Sequence, residues 1–435
     1  MTSHSIARRA AFVAVLGALR RRKWPAVLTV ALVGTGMAYN LFWVPVVRHM
    51  PLWALPGDIW GTYRSAHYIA WGALGSVYSG STGLITFPGI LLLLAPVAAL
   101  TGHLGMTEAF PYPVPHPTAW FVLGPYEMVL GCTVLFACDA LAQRLAVPAG
   151  RRILLSVAET VVLWPVLVFW GHPEDAVGVA LAVYAMVFAF DDRWTGAGWL
   201  FGAAVVTQPL VLLVLPVLLA RSGWRRAAPL LARSFVPSAL LLTTPVLAQF
   251  HATTYSLVNQ PNFPLIDHVT PWTALAPRLG GHGRSLMVAA GPGRIVAVLG
   301  ACALGWWARR WRYRPEALVW AAAVAMALRC FTESVMDDYY VWPALALALV
   351  AVAPARRWRI GVCVVASIAV TVCAENHLAP WWSWWFVVTG GLVVSLLAPL
   401  LGRTSRVADV VPIPVSAAGE ASVHERSAAL AGAMQ

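Results

Sequence analysis

The sequence predicts an all-α fold, a polytopic transmembrane helical bundle. Of its 435 residues, 60% are hydrophobic and only 11% are charged, whereas soluble domains carry charge on about a quarter of their residues. The mean hydropathy is +0.72, and the chain repeats apolar runs of about 20 residues, each long enough to cross a bilayer as a helix. Helices are expected because open sheet edges would leave backbone groups unpaired in lipid.

The chain divides into three regions. Residues 1–23 are basic and lack a small-residue cleavage site, which predicts a cytoplasmic tail. Residues 24–402 are expected to form the bundle, with about eleven to thirteen helices. Residues 403–435 are small, polar and rich in Ala and Ser, which predicts a disordered cytoplasmic tail.

Polar and proline-rich turns separate the predicted spans. The segment 61–80 is aromatic and mixed in polarity, which favours interfacial helices in the first outer loop. The segment 196–220 has arginines on both flanks and Gln208-Pro209 at its middle, which predicts a buried hairpin of two half-helices. The other predicted spans are residues 24–46, 84–102, 120–142, 153–170, 176–190, 232–250, 295–308, 317–336, 339–352, 360–374 and 384–401.

The net charge of +12 comes mainly from arginines clustered between apolar runs. Such clusters are typical of cytoplasmic loops, so the charge indicates topology and an affinity for membrane lipids, and no nucleic-acid partner is expected. Counting spans from the N-terminus puts Arg144, Arg151 and Arg152 on the wrong side. One earlier segment is therefore expected to be re-entrant or interfacial, although the sequence does not indicate which.

The six cysteines all fall inside apolar runs or at their ends, and no CxxC pair occurs. This placement is typical of small buried side chains and predicts neither a disulfide framework nor a metal site. The sequence requires no cofactor and no metal.

Asp58 follows a Pro-Gly turn at the outer mouth of the first span, in a chain with only 18 acidic residues. A carboxylate there is a candidate catalytic base, able to take a proton from an acceptor hydroxyl. The alternative is a solvated loop acid or a helix cap. Arg64, in the aromatic segment that follows, is a candidate substrate-binding residue.

The corner Gly171-His172-Pro173-Glu174-Asp175 joins two predicted spans directly. Proline followed by two acids suits a helix N-terminus, so capping alone explains much of the motif. Capping does not explain His172, which can hydrogen-bond a sugar or phosphate oxygen. His172, Glu174 and Asp175 are therefore candidate substrate-binding residues.

Arg329 is predicted to lie deep in a span, with Glu333 four residues later on the same helix face. A guanidinium in lipid is costly, and it is normally paired or functional. The pattern fits both an internal Arg329–Glu333 pair and a clamp for a lipid-linked phosphate. Arg284 and Arg294 are weaker phosphate candidates. Asp338 and Tyr340, before a late span, can hydrogen-bond sugar hydroxyls, and interfacial anchoring is the alternative for the tyrosine.

Together these stretches resemble the GT-C superfamily of membrane glycosyltransferases, and within it glycosyltransferase family 87, the polyprenyl-phosphate mannose and arabinofuranose transferases of actinobacterial cell-envelope synthesis. The likeness extends over most of residues 24–400. The motifs that carry it are Gly57-Asp58, Tyr78 with Phe87-Pro88-Gly89, Gly171-His172-Pro173-Glu174-Asp175, Gly198-Trp199-Leu200-Phe201-Gly202 with Gln208-Pro209, and Asp338-Tyr339-Tyr340.

The resemblance implies a GT-C-like bundle in the bacterial plasma membrane, with multiple spans and a cytoplasmic N-terminus. It implies a polyprenyl-phosphate-linked sugar donor, a lipid or glycan acceptor, and Asp58 as the acidic base of the first outer loop. Two departures stand out: Gln208 occupies a hairpin position where relatives often carry Lys, and the first loop has one acid where many have two. Phosphate binding is then expected to need Arg329 or another arginine.

Two other classes fit the same features. Broken helices and intramembrane charge also occur in transporters and flippases of lipid-linked or polar solutes. A non-catalytic assembly partner is the third possibility. A sugar-transfer assay separates the enzyme from both.

Overall fold

The computed structural model describes residues 22–47, 56–79, 84–108, 116–376 and 381–401. The predicted tails, residues 1–23 and 403–435, lie outside the described residues except for Arg22 and Lys23.

Helices make up most of the described chain. The first nine are α1 (Lys23–Ala38, continued by a π-turn Tyr39–Trp43 and by Val44–Val47), α2 (Ile59–Ala70), α3 (Gly89–His103), α4 (Trp120–Gly131), α5 (Thr133–Arg144), α6 (Ala149–Pro165, continued by a π-turn Val166–Trp170), α7 (Pro173–Phe190), α8 (Trp194–Thr207) and α9 (Leu215–Ser222, preceded by a 3₁₀ segment Pro209–Val214). The others are α10 (Trp224–Ala248), α11 (Phe250–Thr254), α12 (Gly293–Ala308), α13 (Pro315–Thr332), α14 (Trp342–Val352, preceded by a 3₁₀ turn Asp338–Val341), α15 (Arg357–Glu375) and α16 (Trp381–Leu397).

Seven stretches within the described residues are helices long and apolar enough to cross a membrane. Large apolar side chains point away from the bundle on the outermost of them: Val30 on α1 is 73% exposed, and Leu247 on α10 is 81% exposed. Exposure of such apolar side chains to water would be unfavourable, whereas lipid tails can cover them. The prediction of an all-α polytopic membrane bundle is confirmed.

One end of the bundle, here called the arginine-rich end, gathers the basic clusters around a few acids. Asp139 accepts hydrogen bonds from Arg22 and from Arg152, the latter with an Nε to Oδ1 distance of 2.7 Å. Arg151 donates to the carbonyl oxygen of Ala355 at 2.8 Å. The start of α1, the end of α5, the start of α6 and the end of α14 therefore meet at the same end, as the arginine pattern predicts.

The other end, here called the acidic end, holds most of the remaining carboxylates. Asp58 contacts the His172 corner there, and the side chain of Trp170 donates to Glu375 at 3.2 Å. The two ends thus differ in charge as the sequence predicts. The acids at this end include Asp58, Glu174, Asp175, Asp267, Glu333, Asp337, Asp338 and Glu375.

The segment predicted to span residues 84–102 does not connect the two ends, so that prediction is wrong. It forms α3, of 15 residues. At its start, a Cβ on Gly89 would lie 2.5 Å from the carbonyl oxygen of Val206, beside the hairpin apex. At its other end, Thr101 hydrogen-bonds Tyr63, only about 8 Å along α2 from Asp58. Both ends of α3 are therefore held near the acidic end.

This placement resolves the conflict in the sequence topology. Because neither α2 nor α3 crosses, α4 and α5 carry the chain back to the arginine-rich end. Arg144, Arg151 and Arg152 then lie on the same side as Arg22, as their charge requires. The interfacial segment is α2 together with α3.

The predicted hairpin is present. Helix α8 ends at Thr207, Gln208 adopts an extended conformation (φ −144°, ψ 103°), and Pro209 starts a 3₁₀ segment leading into α9. Asp192 precedes the hairpin and Arg221 ends it, and their side chains lie 3.7 Å apart (Arg Nη2 to Asp Oδ2). Since both ends meet at the arginine-rich end, the apex at Gln208 points into the bundle.

A long connection between α11 and α12 covers the acidic end. It contains β2 (Arg278–Gly280) paired antiparallel with β3 (Met287–Val288), and β1 (His268–Val269) paired antiparallel with β4 (Val335–Met336), which follows α13. Thr270 donates to the carbonyl oxygen of Glu333 at 2.7 Å. These bonds fix the connection above the end of α13, where Arg329 and Glu333 lie.

Candidate active site

The Pro56-Gly57-Asp58 turn packs directly against Gly171. Gly171 has φ +75°, and a Cβ there would lie 2.4 Å from Cγ of Pro56 and 3.0 Å from Cβ of Ile59. Two features require glycine at position 171. Its backbone is left-handed, and the first outer loop occupies the space that a side chain would need. This close approach brings Asp58 to His172, 114 residues away in sequence.

Asp58, His172 and Glu174 form a hydrogen-bonded relay. His172 Nε2 lies 3.1 Å from Asp58 Oδ2, and Nδ1 lies 2.6 Å from Glu174 Oε1. The ring of Tyr339 stacks on the imidazole, with centroids 4.0 Å apart and an interplanar angle of 24°. The side chain of Asp58 is 53% exposed, whereas those of His172 and Glu174 are 14% and 6% exposed. The relay thus runs from the surface into the bundle.

The surroundings of His172 favour its charged form. Burial by itself lowers the pKa of the imidazole, but the charge of Glu174, the hydrogen bonds to Asp58 and Glu174, and the charge of Asp58 outweigh it. The pKa of His172 is therefore raised well above its ordinary value. An imidazolium between two carboxylates fixes the orientation of both.

Two arginines share one carboxylate on another side of the site. Arg294 Nε lies 2.7 Å from Glu333 Oε1, and Arg329 Nε lies 3.5 Å from Glu333 Oε2. The Arg329 guanidinium also lies 3.3 Å from the ring centroid of Tyr340, and Arg294 donates to the side chain of Gln260. Arg329 was predicted deep in a span, but it lies in the last turn of α13, with Glu333 just beyond the helix end.

A cavity of about 370 Å³ lies between the relay and the arginines. Its volume falls in the lower range of small-molecule binding pockets. The predicted site residues that line it are His172, Glu174, Asp175, Gln208, Arg329 and Tyr340.

The hairpin apex forms one wall of the cavity. Gln208 donates a hydrogen bond to Asp175 on the first turn of α7. A Cβ on Gly178 would lie 2.6 Å from Cβ of Gln208, so glycine allows the apex to approach α7. The side chain of Gln208 is thus bonded to a carboxylate, and the arginines that line the cavity, Arg294 and Arg329, come from α12 and α13.

Asp58, Arg64 and Asp338 are not among the lining residues. Asp58 reaches the cavity through His172, and Arg64 lies partly buried on α2. Asp338 is buried and lies 3.5 Å from His268 Nε2. The roles assigned to Arg64 and Asp338 in binding substrate stay predictions.

A further carboxylate pair lies beside the relay. Burial, and then the charge of Asp337, raise the pKa of Asp267 to about 8. Burial also raises the pKa of Asp337, and the Tyr339 hydroxyl donates to Asp337 at 3.2 Å. Within the described ranges, no group of three or more His, Cys, Asp or Glu side chains is placed to hold a metal ion.

Sequence reasoning missed several cavity residues. Thr86 precedes α3, and Asn262 lies in the long connection. Thr86 adjoins the Phe87-Pro88-Gly89 motif, which was the only local signal. Asn262 had none beyond being a polar residue in a loop, because its approach to the cavity depends on tertiary packing.

The fold and the site define a class: a multi-pass helical membrane protein with a polar, charged cavity near one end of the bundle. No family model and no curated protein matches the chain. The structure is similar to a crystal structure of ArnT from Cupriavidus metallidurans bound to undecaprenyl phosphate, with 14% sequence identity over 87% of this chain and 76% of that chain, at a TM-score of 0.43. Nothing about the site of this chain follows from a similarity at that level.

Proposed function

We propose that this chain is a GT-C-type membrane glycosyltransferase, resembling family 87, that moves a sugar from a polyprenyl-phosphate donor to a cell-envelope acceptor. The observation that carries the proposal is the single cavity that two arginines and the His172–Glu174 part of the relay line together. A lipid phosphate requires cations, a sugar requires hydrogen-bonding groups, and an acceptor hydroxyl requires a base.

The proposed reaction is a single displacement at the anomeric carbon. Asp58 takes the proton of the acceptor hydroxyl as its oxygen bonds to that carbon. The bond from the anomeric carbon to the phosphate oxygen breaks, and the phosphate keeps the electron pair. Arg329 and Arg294 stabilise the charge that develops on the leaving phosphate. His172 orients Asp58, and the site otherwise holds donor and acceptor in line.

The asymmetry of charge supports an orientation. Arginine-rich loops remain in the cytoplasm, so the arginine-rich end is proposed to be cytoplasmic and the acidic end to face outward in a bacterial plasma membrane. The exposed carboxylate of Asp58 then meets an acceptor glycolipid or glycan from outside. The apolar part of the donor lies in the bilayer. Mannose and arabinofuranose are the sugars that the family resemblance favours.

The test is Asp58→Asn in purified protein supplied with polyprenyl-phosphate mannose or arabinofuranose and membrane acceptor. The asparagine side-chain oxygen can accept a hydrogen bond from His172 but the amide cannot take up a proton, so transfer is expected to fall by about 10²- to 10⁴-fold. Asp191→Asn, the same change at the arginine-rich end, is the matched control and should leave transfer intact.

Equal transfer by wild type and Asp58→Asn would remove Asp58 from the proposed role. A wild-type protein that moves a lipid-linked sugar across proteoliposomes, and forms no glycosylated product, would instead establish a flippase. Both outcomes are read from the same preparations.

A further inference from the structure

Three residues that line the cavity each carry a buried side-chain atom without a hydrogen-bond partner among the described residues. The atoms are Thr86 Oγ1, Glu174 Oε2 and Asn262 Nδ2. Glu174 is 5% exposed and Asn262 is 7% exposed. An unpaired buried polar atom costs about 1–3 kcal/mol, so native proteins pair nearly all of them. Three around one cavity point to a bound molecule that supplies the missing partners.

The backbone holds the two uncharged residues in place. Asn262 forms an isolated bridge with Val288, in which each amide donates to the other's carbonyl oxygen at 3.0 Å. Gln260, two residues earlier, donates to the carbonyl oxygen of Ile85 at 3.2 Å. Since Thr86 follows Ile85, this bond brings Thr86 and Asn262 to the same part of the cavity wall.

Glu174 is fixed from a different element. It lies in the first turn of α7, and its other oxygen, Oε1, is bonded to His172 Nδ1 at 2.6 Å. The free oxygen therefore cannot turn away without breaking the relay. The side chain of Glu174 and the backbone of Asn262 are thus held by contacts that do not depend on a ligand.

The hydrogen-bonding chemistry of the three atoms indicates which part of the donor they bind: the hydrocarbon tail, the phosphate or the sugar. An amide N–H donates, a carboxylate oxygen accepts, and a threonine hydroxyl does both. A hydrocarbon tail would satisfy none of them, and a phosphate would meet the negative charge of Glu174. Hydroxyl groups on a ring both donate and accept, so a sugar can pair with all three.

We infer that Thr86, Asn262 and Glu174 form a hydroxyl-binding subsite that holds the sugar ring of the donor. The inference rests on the proposed function and extends it. The arginines bind the phosphate, and the three polar atoms distinguish a sugar-linked lipid from the bare lipid phosphate. Thr86 and Asn262 determine specificity without touching the reacting oxygen of the acceptor.

The experiment is equilibrium binding to the purified full-length protein in nanodiscs. The probes are polyprenyl-phosphate mannose, polyprenyl-phosphate arabinofuranose and bare polyprenyl phosphate. Thr86→Val removes the hydroxyl at constant shape, Thr86→Ser keeps it, and Asn262→Leu removes the amide. Thr86→Val and Asn262→Leu should each lower the affinity for the preferred sugar-linked lipid by about two- to tenfold. Bare polyprenyl phosphate should bind unchanged, and Thr86→Ser should bind like wild type.

The subsite is overturned if wild type binds a sugar-linked lipid no more tightly than bare polyprenyl phosphate. It is also overturned if Thr86→Val leaves the affinity for both lipids unchanged, or lowers both affinities by the same factor. The conservative serine variant separates loss of the hydroxyl from loss of folding. A transfer assay on wild type is run alongside. Sugar-dependent binding without transfer refutes the enzyme and keeps the subsite, whereas transfer with unchanged binding by Thr86→Val refutes only the subsite.

Discussion

Replacing Gly171 by alanine tests whether the approach of the first outer loop to His172 supports catalysis. The new Cβ would lie 2.4 Å from Cγ of Pro56, whereas carbon atoms normally stay about 3.5–4.0 Å apart. The Pro56-Gly57-Asp58 turn must therefore move by roughly 1 Å or more. Such a shift breaks the 3.1 Å contact between Asp58 and His172.

The magnitude follows from two separable costs. Alanine at φ +75° costs about 1–2 kcal/mol of strain wherever it occurs. Displacement of a catalytic group by about 1 Å costs on the order of 10²-fold in rate. Gly72 is the matched control, because its φ is +74° and a Cβ there would meet nothing within 4 Å. Gly72→Ala therefore carries the strain without the displacement.

The assay compares the two variants with wild type for thermal unfolding and for sugar transfer at saturating donor. Both variants should lose the stability that the left-handed strain costs, and Gly171→Ala should lose more because its Cβ also displaces the turn. Only Gly171→Ala should lose transfer, by about a hundredfold. Equal transfer rates for Gly171→Ala and Gly72→Ala would refute the view that the Asp58–His172 contact matters for turnover.

Three further predictions concern charge. The raised pKa of His172 means that its stabilisation is fully present below its unfolded pKa near 6.5 and is lost as pH rises through the folded pKa. The gap in Tm between wild type and His172→Gln should therefore be widest near pH 6 and should narrow on raising the pH. Arg329→Lys keeps the charge but loses the planar fork, so KM for the donor should rise by about tenfold with little change in Tm; an unchanged KM contradicts phosphate binding there. Asp267, with its pKa raised from 3.8 to about 8, stays protonated when folded, so the stability of wild type falls as pH rises across that interval. Asp267→Asn should match wild type in Tm at low pH and exceed it at pH 9, and the reverse order at pH 9 would contradict the burial of that acid.

Local patterns were sufficient to predict most of the helices and the hairpin. Apolar runs give the lengths of the spans, and arginines mark one end of the bundle. The break at Gln208-Pro209 follows from the missing amide of proline, and arginines on both flanks require the two half-helices to return to one side. These are properties of short segments, and the structure retains them.

Helix α3 shows where local patterns fail. Its 15 residues are mostly apolar, which fits a short span as well as a helix lying across the end of the bundle. Its position depends on Gly89 packing against Val206 and on Thr101 pairing with Tyr63. Neither contact leaves a trace in the composition of the segment itself.

The site shows the same division. The His172-Pro173-Glu174 corner is a contiguous motif, so the sequence could single it out. The contact of Asp58 with that corner, and the arrival of Asn262 at the cavity, join residues far apart in sequence. Motif reading finds the chemistry of each residue, and only the packing of the loops determines which residues act together.

Two guanidinium groups share Glu333, and this affects how the lipid phosphate would leave after the proposed sugar transfer. Arg294 and Arg329 are already neutralised in part by one acid, so an incoming phosphate has to displace that acid before it gains either cation fully. The same competition would weaken binding of the bare lipid phosphate, because Glu333 can pair again with Arg294 and Arg329. For the transferase proposed above, this competition favours repeated turnover, because tight retention of the lipid phosphate would stall the enzyme after one cycle.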